Sequence, residues 1–136
     1  MRARQKDFER IGKDGCYFLS VVQAGERLTG KYIDAYDVYV RSLAARYLDE
    51  ECYLIYPDRI LGMVTGRAYS VRKEARNYVA KEGEIVILRF ERVVGRTTVA
   101  HFVLAGEDGT VEYDPYGASE TVHSGSLISK RVFAPL

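Results

Sequence analysis

Apolar residues recur at helical spacing in the first half of the chain and at strand spacing in the second. From Cys16 the residues Phe18, Leu19 and Val22, with Val21 beside them, keep a helical period as far as Gly25, which predicts a helix opening at Cys16 and stopping at that glycine. Ile33, Tyr36, Val40, Leu43, Ala44 and Tyr47 form a second amphipathic stripe and predict a helix over residues 31–48, with Thr29 as its cap. Asp58 follows Pro57 and precedes Ile60, Leu61 and Val64, so a short third helix is expected, capped by Asp58 and ended at Gly66.

After Gly66 the pattern changes. Tyr69 to Arg72, Glu84 to Glu91, Thr97 to Ala105, Thr110 to Tyr113 and Leu127 to Phe133 are rich in β-branched and aromatic residues and are separated by Gly, Asp and Pro. Glu107, Asp108 and Gly109 mark a hairpin between the third and fourth of these runs. Helices first and an antiparallel sheet second give an α+β architecture, with one layer of N-terminal helices packed on a C-terminal sheet.

Length and composition add limits. The 136 residues fall within the range of one domain, and no repeat, low-complexity tract or linker divides residues 1–136. Hydrophobic residues make up 47% and charged residues 29%, the balance of a folded globular chain. Twenty basic against nineteen acidic residues leave a formal charge of +1 without a continuous basic stripe, so nucleic acid is not an expected partner. No apolar run is long enough to span a membrane or to serve as a secretory signal, and the expected location is cytoplasmic. Cys16 and Cys52 are expected to be free thiols.

Three residues draw attention to chemistry. Cys16 stands in the string Asp14, Gly15, Cys16, Tyr17, Phe18, Leu19, Ser20, where a Gly-containing loop hands over to the first helix. A cysteine on an apolar helix is usually a small buried hydrophobe. At a helix N-terminus, however, peptide dipoles and unpaired N–H groups favour a thiolate, and the same N–H groups can bind an oxyanion. His101 begins the strand run His101, Phe102, Val103, Leu104, and Asp114 ends the next strand immediately before Pro115, which should stop that strand and turn the carboxylate outward. A hairpin joining the two strands brings Asp114 alongside His101, because antiparallel neighbours lie about 5 Å apart. An aspartate on one ring nitrogen fixes the tautomer and leaves the other nitrogen to take a thiol proton.

The order Gly-Cys at a helix start, a His-Phe-Val strand, a hairpin and a strand ending Asp-Pro resembles the papain-like cysteine peptidase superfamily. It is similar in particular to bacterial double-glycine leader peptidase domains and to a papain-like family carried on prophages and plasmids, in which a GCYFLS-like string marks the nucleophile. The resemblance runs from about Gln5 to Phe133 and implies Cys16 as nucleophile, His101 as base and Asp114 as the group that orients it. The leader peptidases complete the oxyanion hole with a glutamine upstream of the cysteine. Here the only upstream glutamine is Gln5, which is therefore the corresponding candidate. Tyr17 and Phe18 follow the cysteine where leader peptidases have small residues, so the substrate need not be a double-glycine leader.

The implied activity is cofactor-free cleavage of a peptide or isopeptide bond in a peptide or protein substrate. A peptidoglycan or amide hydrolase, an acyl transferase, or a catalytically silent binding module of phage or plasmid origin would carry the same residues. His123 lies in the Ser/Gly-rich stretch Thr121 to Ser126, expected to be a loop, and Cys52 stands among Tyr53, Leu54 and Ile55, a setting for burial. Cys16, Cys52, His101 and His123 lack the short ligand spacing of a zinc site, and no metal is expected.

Overall fold

A computed structural model describes residues 15–136 as an α+β unit. Three helices, α1 (Cys16–Thr29), α2 (Ala35–Ala44) and α3 (Pro57–Thr65), precede strands β1 (Tyr69–Ala75), β2 (Ile85–Val94), β3 (Thr97–Ala105) and β4 (Val111–Tyr113). A short helix α4 (Glu120–Ser124) and strand β5 (Ser126–Pro135) follow. The five strands form one antiparallel sheet in the order β1-β5-β2-β3-β4, so the last strand inserts between β1 and β2.

The α1 helix buries Phe18, Leu19, Val21 and Val22 completely. It packs with Ile60 and Leu61 of α3 against Ile85, Ile87, Leu104 and Phe133 of the sheet. The alternate residues of the strands, Val86, Leu88, Val103 and Val132, form a second core on the other face, covered by Val122 of α4 and by Tyr78. The expected single helix layer is thus accompanied by a thin cover on the opposite face. His123 sits in α4, where a loop was expected, because the Ser119 hydroxyl accepts from the Val122 N–H and starts a helical turn. The His123 side chain is exposed.

Several helix ends differ from the pattern. α1 runs through Gly25 to Thr29, and Gly30, with φ 68°, ends it. A Cβ at Gly25 would lie 2.2 Å from Cγ1 of Val64, so this glycine marks where α1 and α3 approach closely. Thr29 donates its hydroxyl to the Gly25 carbonyl and does not cap α2; Asp34 does, accepting from the N–H groups of Tyr36 and Asp37. In α3 Pro57 takes the first position after Tyr56, and Asp58 lies within the first turn and is not the cap. No described helix is long and apolar enough to cross a membrane.

The β3–β4 hairpin turns at Gly109, with φ 84°, and the Asp108 carboxylate accepts from the N–H and hydroxyl of Thr110. Because β4 is short, it pairs with β3 only at Leu104 and Ala105. This leaves the rest of the β3 edge free for the N-terminal turns of α1, and the buried Ser20 hydroxyl donates to the Phe102 carbonyl at 3.3 Å.

Candidate active site

Cys16 is the first residue of α1 and Gly15 precedes it as the cap, without a side chain to close the helix end. The first intrahelical bond of this turn runs from the Leu19 N–H to the Gly15 carbonyl at 2.8 Å, so the N–H groups of Cys16, Tyr17 and Phe18 precede the helical ladder. The Ser20–Phe102 bond, one turn on, fixes this helix end against the strand that carries His101.

His101 is 1% exposed, and its Nε2 lies 2.7 Å from Oδ1 of Asp114. A carboxylate only accepts, so Nε2 carries the proton in this pair. The Tyr116 ring stacks on the imidazole, with centroids 4.5 Å apart and planes 7° from parallel. Asp114 is itself held by two backbone donors: the Tyr116 N–H at 2.9 Å on Oδ1 and the Ser119 N–H at 3.0 Å on Oδ2. The expected outward carboxylate is therefore corrected. The strand ends ahead of Pro115, at Tyr113 and not at Asp114, and the Asp114-Pro115-Tyr116-Gly117 turn, closed by the Gly117 N–H on the Asp114 carbonyl, folds the carboxylate inward to 8% residue exposure.

Burial disfavours the charged imidazole, but the Asp114 hydrogen bond and then the adjacent Cys16 outweigh it and raise the His101 pKa to about 9. Burial also disfavours the Asp114 charge, yet the His101 and Tyr116 hydrogen bonds keep its pKa below the ordinary carboxylate value. Since Asp114 occupies Nε2, the interaction with Cys16 falls to Nδ1. That nitrogen is buried and, among the described residues, closes no complete hydrogen bond.

Cys16 and His101 line one groove of about 1190 Å³, together with Tyr17, Phe102, Tyr116 and Thr121. Cys16 is 7% exposed, and this groove is the surface that it lines. Cys52 is also buried and lines the same groove, from the loop after α2. The structure thus brings Cys16, His101 and Asp114 together. Gln5 lies outside the described residues. The pattern of the sequence did not single out Tyr116 or Ser119, although the Pro-Tyr-Gly turn after Asp114 was a signal that the chain folds back there.

The model of one protein family matches residues 1–135 of this chain. The chain belongs to the family described as "Protein of unknown function, DUF261". Membership in that family covers nearly the whole sequence, including Gln5, Cys16, His101 and Asp114. Comparison with curated proteins and with solved structures gives no match.

Proposed function

We propose that this protein is a papain-like cysteine hydrolase that cleaves a peptide or isopeptide bond through a Cys16 acyl-enzyme. The observation that carries the reading is the division of labour on one imidazole: Asp114 holds Nε2, and Nδ1 is left for the cysteine at the start of α1. A nucleophile-bearing helix packed on an antiparallel sheet that supplies the base supports the papain-like assignment.

In this reading Nδ1 of His101 holds the Cys16 proton while the sulfur attacks the substrate carbonyl carbon. The C–S bond forms, and the carbonyl electron pair moves to oxygen, which rests against the Cys16 N–H. A second donor is assigned to Gln5 on the resemblance alone. Collapse of this intermediate re-forms the carbonyl and expels the amine, which takes the proton from Nδ1 and leaves a thioester. Water then gives a proton to Nδ1 and attacks the thioester, the acid departs, and the Cys16–His101 pair is restored. The raised His101 pKa suits the step in which the ring must act as an acid.

The test is turnover of a set of fluorogenic peptide amides, with thioester capture by mass spectrometry. Cys16→Ala should abolish both signals with an unchanged melting temperature, because the change deletes the thiol and little volume. Full turnover by a folded Cys16→Ala variant would refute the assignment.

A further inference from the structure

The groove that holds Cys16 has a cationic floor. Phe102, next to His101, stacks on Tyr17 with ring centroids 4.4 Å apart and planes 10° from parallel. Two guanidinium groups approach the same Phe102 ring: Arg89, with Cζ 5.9 Å from the centroid, and Arg131, at 5.7 Å. Register explains this gathering. Arg89 stands opposite Phe102 across β2–β3, and Arg131 stands opposite Lys73 across β1–β5, which puts Lys73 and Arg131 side by side on one face.

The cations are not equally committed. Arg72, also in the groove lining, pairs with Glu74 and Glu84, and Arg89 pairs with Glu91. Arg131 donates to the Ser129 hydroxyl at 2.9 Å, and among the described residues neither it nor Lys73 pairs with a carboxylate. Glu51, the acidic residue of the groove lining, takes part in no ion pair with these cations among the described residues. Like charges crowded on a half-buried aromatic floor repel, and burial and then Arg131 lower the Arg89 pKa. A bound anion would relieve that repulsion, and a guanidinium offers a planar pair of donors matched to a carboxylate.

We infer that Arg131, with Lys73 beside it on the Phe102 side of the groove, is an anionic subsite that selects substrates carrying an acidic side chain near the cleaved bond. This rests on the cysteine-hydrolase reading of the same groove. Tyr17 adjoins Cys16 and its ring lies 4.4 Å from that of Phe102, and the Arg131 Cζ lies 5.7 Å from the Phe102 ring, so the acidic residue of the substrate would sit beside the Tyr17–Phe102 stack, within a few residues of the cleaved bond.

Peptidyl α-ketoamides test it, because their ketone adds reversibly to a thiol and they carry residues on both sides of the reacting carbon. A host peptide of alanine and glycine would carry a single Glu, or a single Gln, at each position in turn. Wild-type protein should bind the Glu peptide about tenfold more tightly than its Gln counterpart at one position. That ratio should shrink with rising salt and fall to near one in Arg131→Gln. Lys73→Met should reduce it to a lesser degree. Equal affinities for Glu and Gln at every position overturn the anionic subsite and leave the hydrolase reading intact. So does a Glu preference that salt does not weaken or that survives intact in a folded Arg131→Gln variant. Binding that is the same in Cys16→Ala, or no binding by any ketoamide, overturns the hydrolase reading and the subsite with it.

Discussion

The imidazole of His101 is the residue on which the proposed chemistry turns, and its surroundings predict how it titrates. With Asp114 on Nε2 and Cys16 beside Nδ1, the ring should titrate near pH 9 when followed by NMR. Asp114→Asn keeps the shape but removes the negative charge, so the titration should move down toward the ordinary histidine value, and turnover should fall by roughly 10² to 10⁴-fold. The loss should be smaller than in Cys16→Ala and larger than in a surface change such as Glu107→Gln. An Asp114→Asn variant whose His101 still titrates near pH 9 would show that the carboxylate does not control the ring. The meeting of His101 with Asp114 was legible from residue types and the hairpin between them, although the β3–β4 ladder covers only Leu104 and Ala105 and the turn after Asp114 completes the approach. The stack of Tyr116 on the imidazole was not legible, since it depends on how the chain turns after Pro115.

Elements hold these residues in place, and two glycines show where the sequence pattern was ambiguous. Gly66 ends α3 with φ 75°, as its position after an apolar run suggests. Gly25 has the same look in the sequence but lies inside α1, because the close approach of Val64 requires a residue without a Cβ there. Local pattern cannot separate these roles, since one is a backbone conformation and the other a tertiary contact. Alanine at Gly25 gains about 1 kcal/mol of helix propensity. The clash with a stiff β-branched side chain costs about 1–3 kcal/mol, so Gly25→Ala should lower the melting temperature. Gly125→Ala should lower it further, because its Cβ would lie 2.2 Å and 2.5 Å from the backbone oxygens of Thr121 and Glu91, which cannot rotate away. A Gly125→Ala protein as stable as wild type would contradict this packing of α4 on β2. The bounds of α2 were overextended because Tyr47 continues the helical stripe. There Arg46, with φ 62°, follows the helix end, and Tyr47 passes into the loop closed by the Leu48–Leu54 bridge.

At the scale of the whole molecule, the buried His101–Asp114 pair links folding to pH. The folded His101 pKa lies above the unfolded value, so its contribution to stability is complete below about 6.5 and is lost as pH rises through about 9. The Asp114 pKa is lowered, so its contribution is present above the unfolded carboxylate value and is lost as pH falls through the folded one. Wild-type melting temperature should therefore decline from pH 6.5 to 9 more than that of Asp114→Asn. Parallel declines would mean that the pair contributes little to folding. The α+β order of helices and sheet was readable from the two periodicities, whereas the insertion of β5 between β1 and β2 was not, because both candidate neighbours offer the same alternation. The most direct test of the central claim needs no substrate. Cys16 and Cys52 are both buried in the lining of one groove, so Cys52 is an internal control for access. Alkylation by iodoacetamide, followed at each cysteine by mass spectrometry at neutral pH, should modify Cys16 at least tenfold faster than Cys52, and His101→Ala should erase the difference. Equal rates at the two cysteines in the folded wild-type protein, or a Cys16 advantage that persists without His101, would contradict the account.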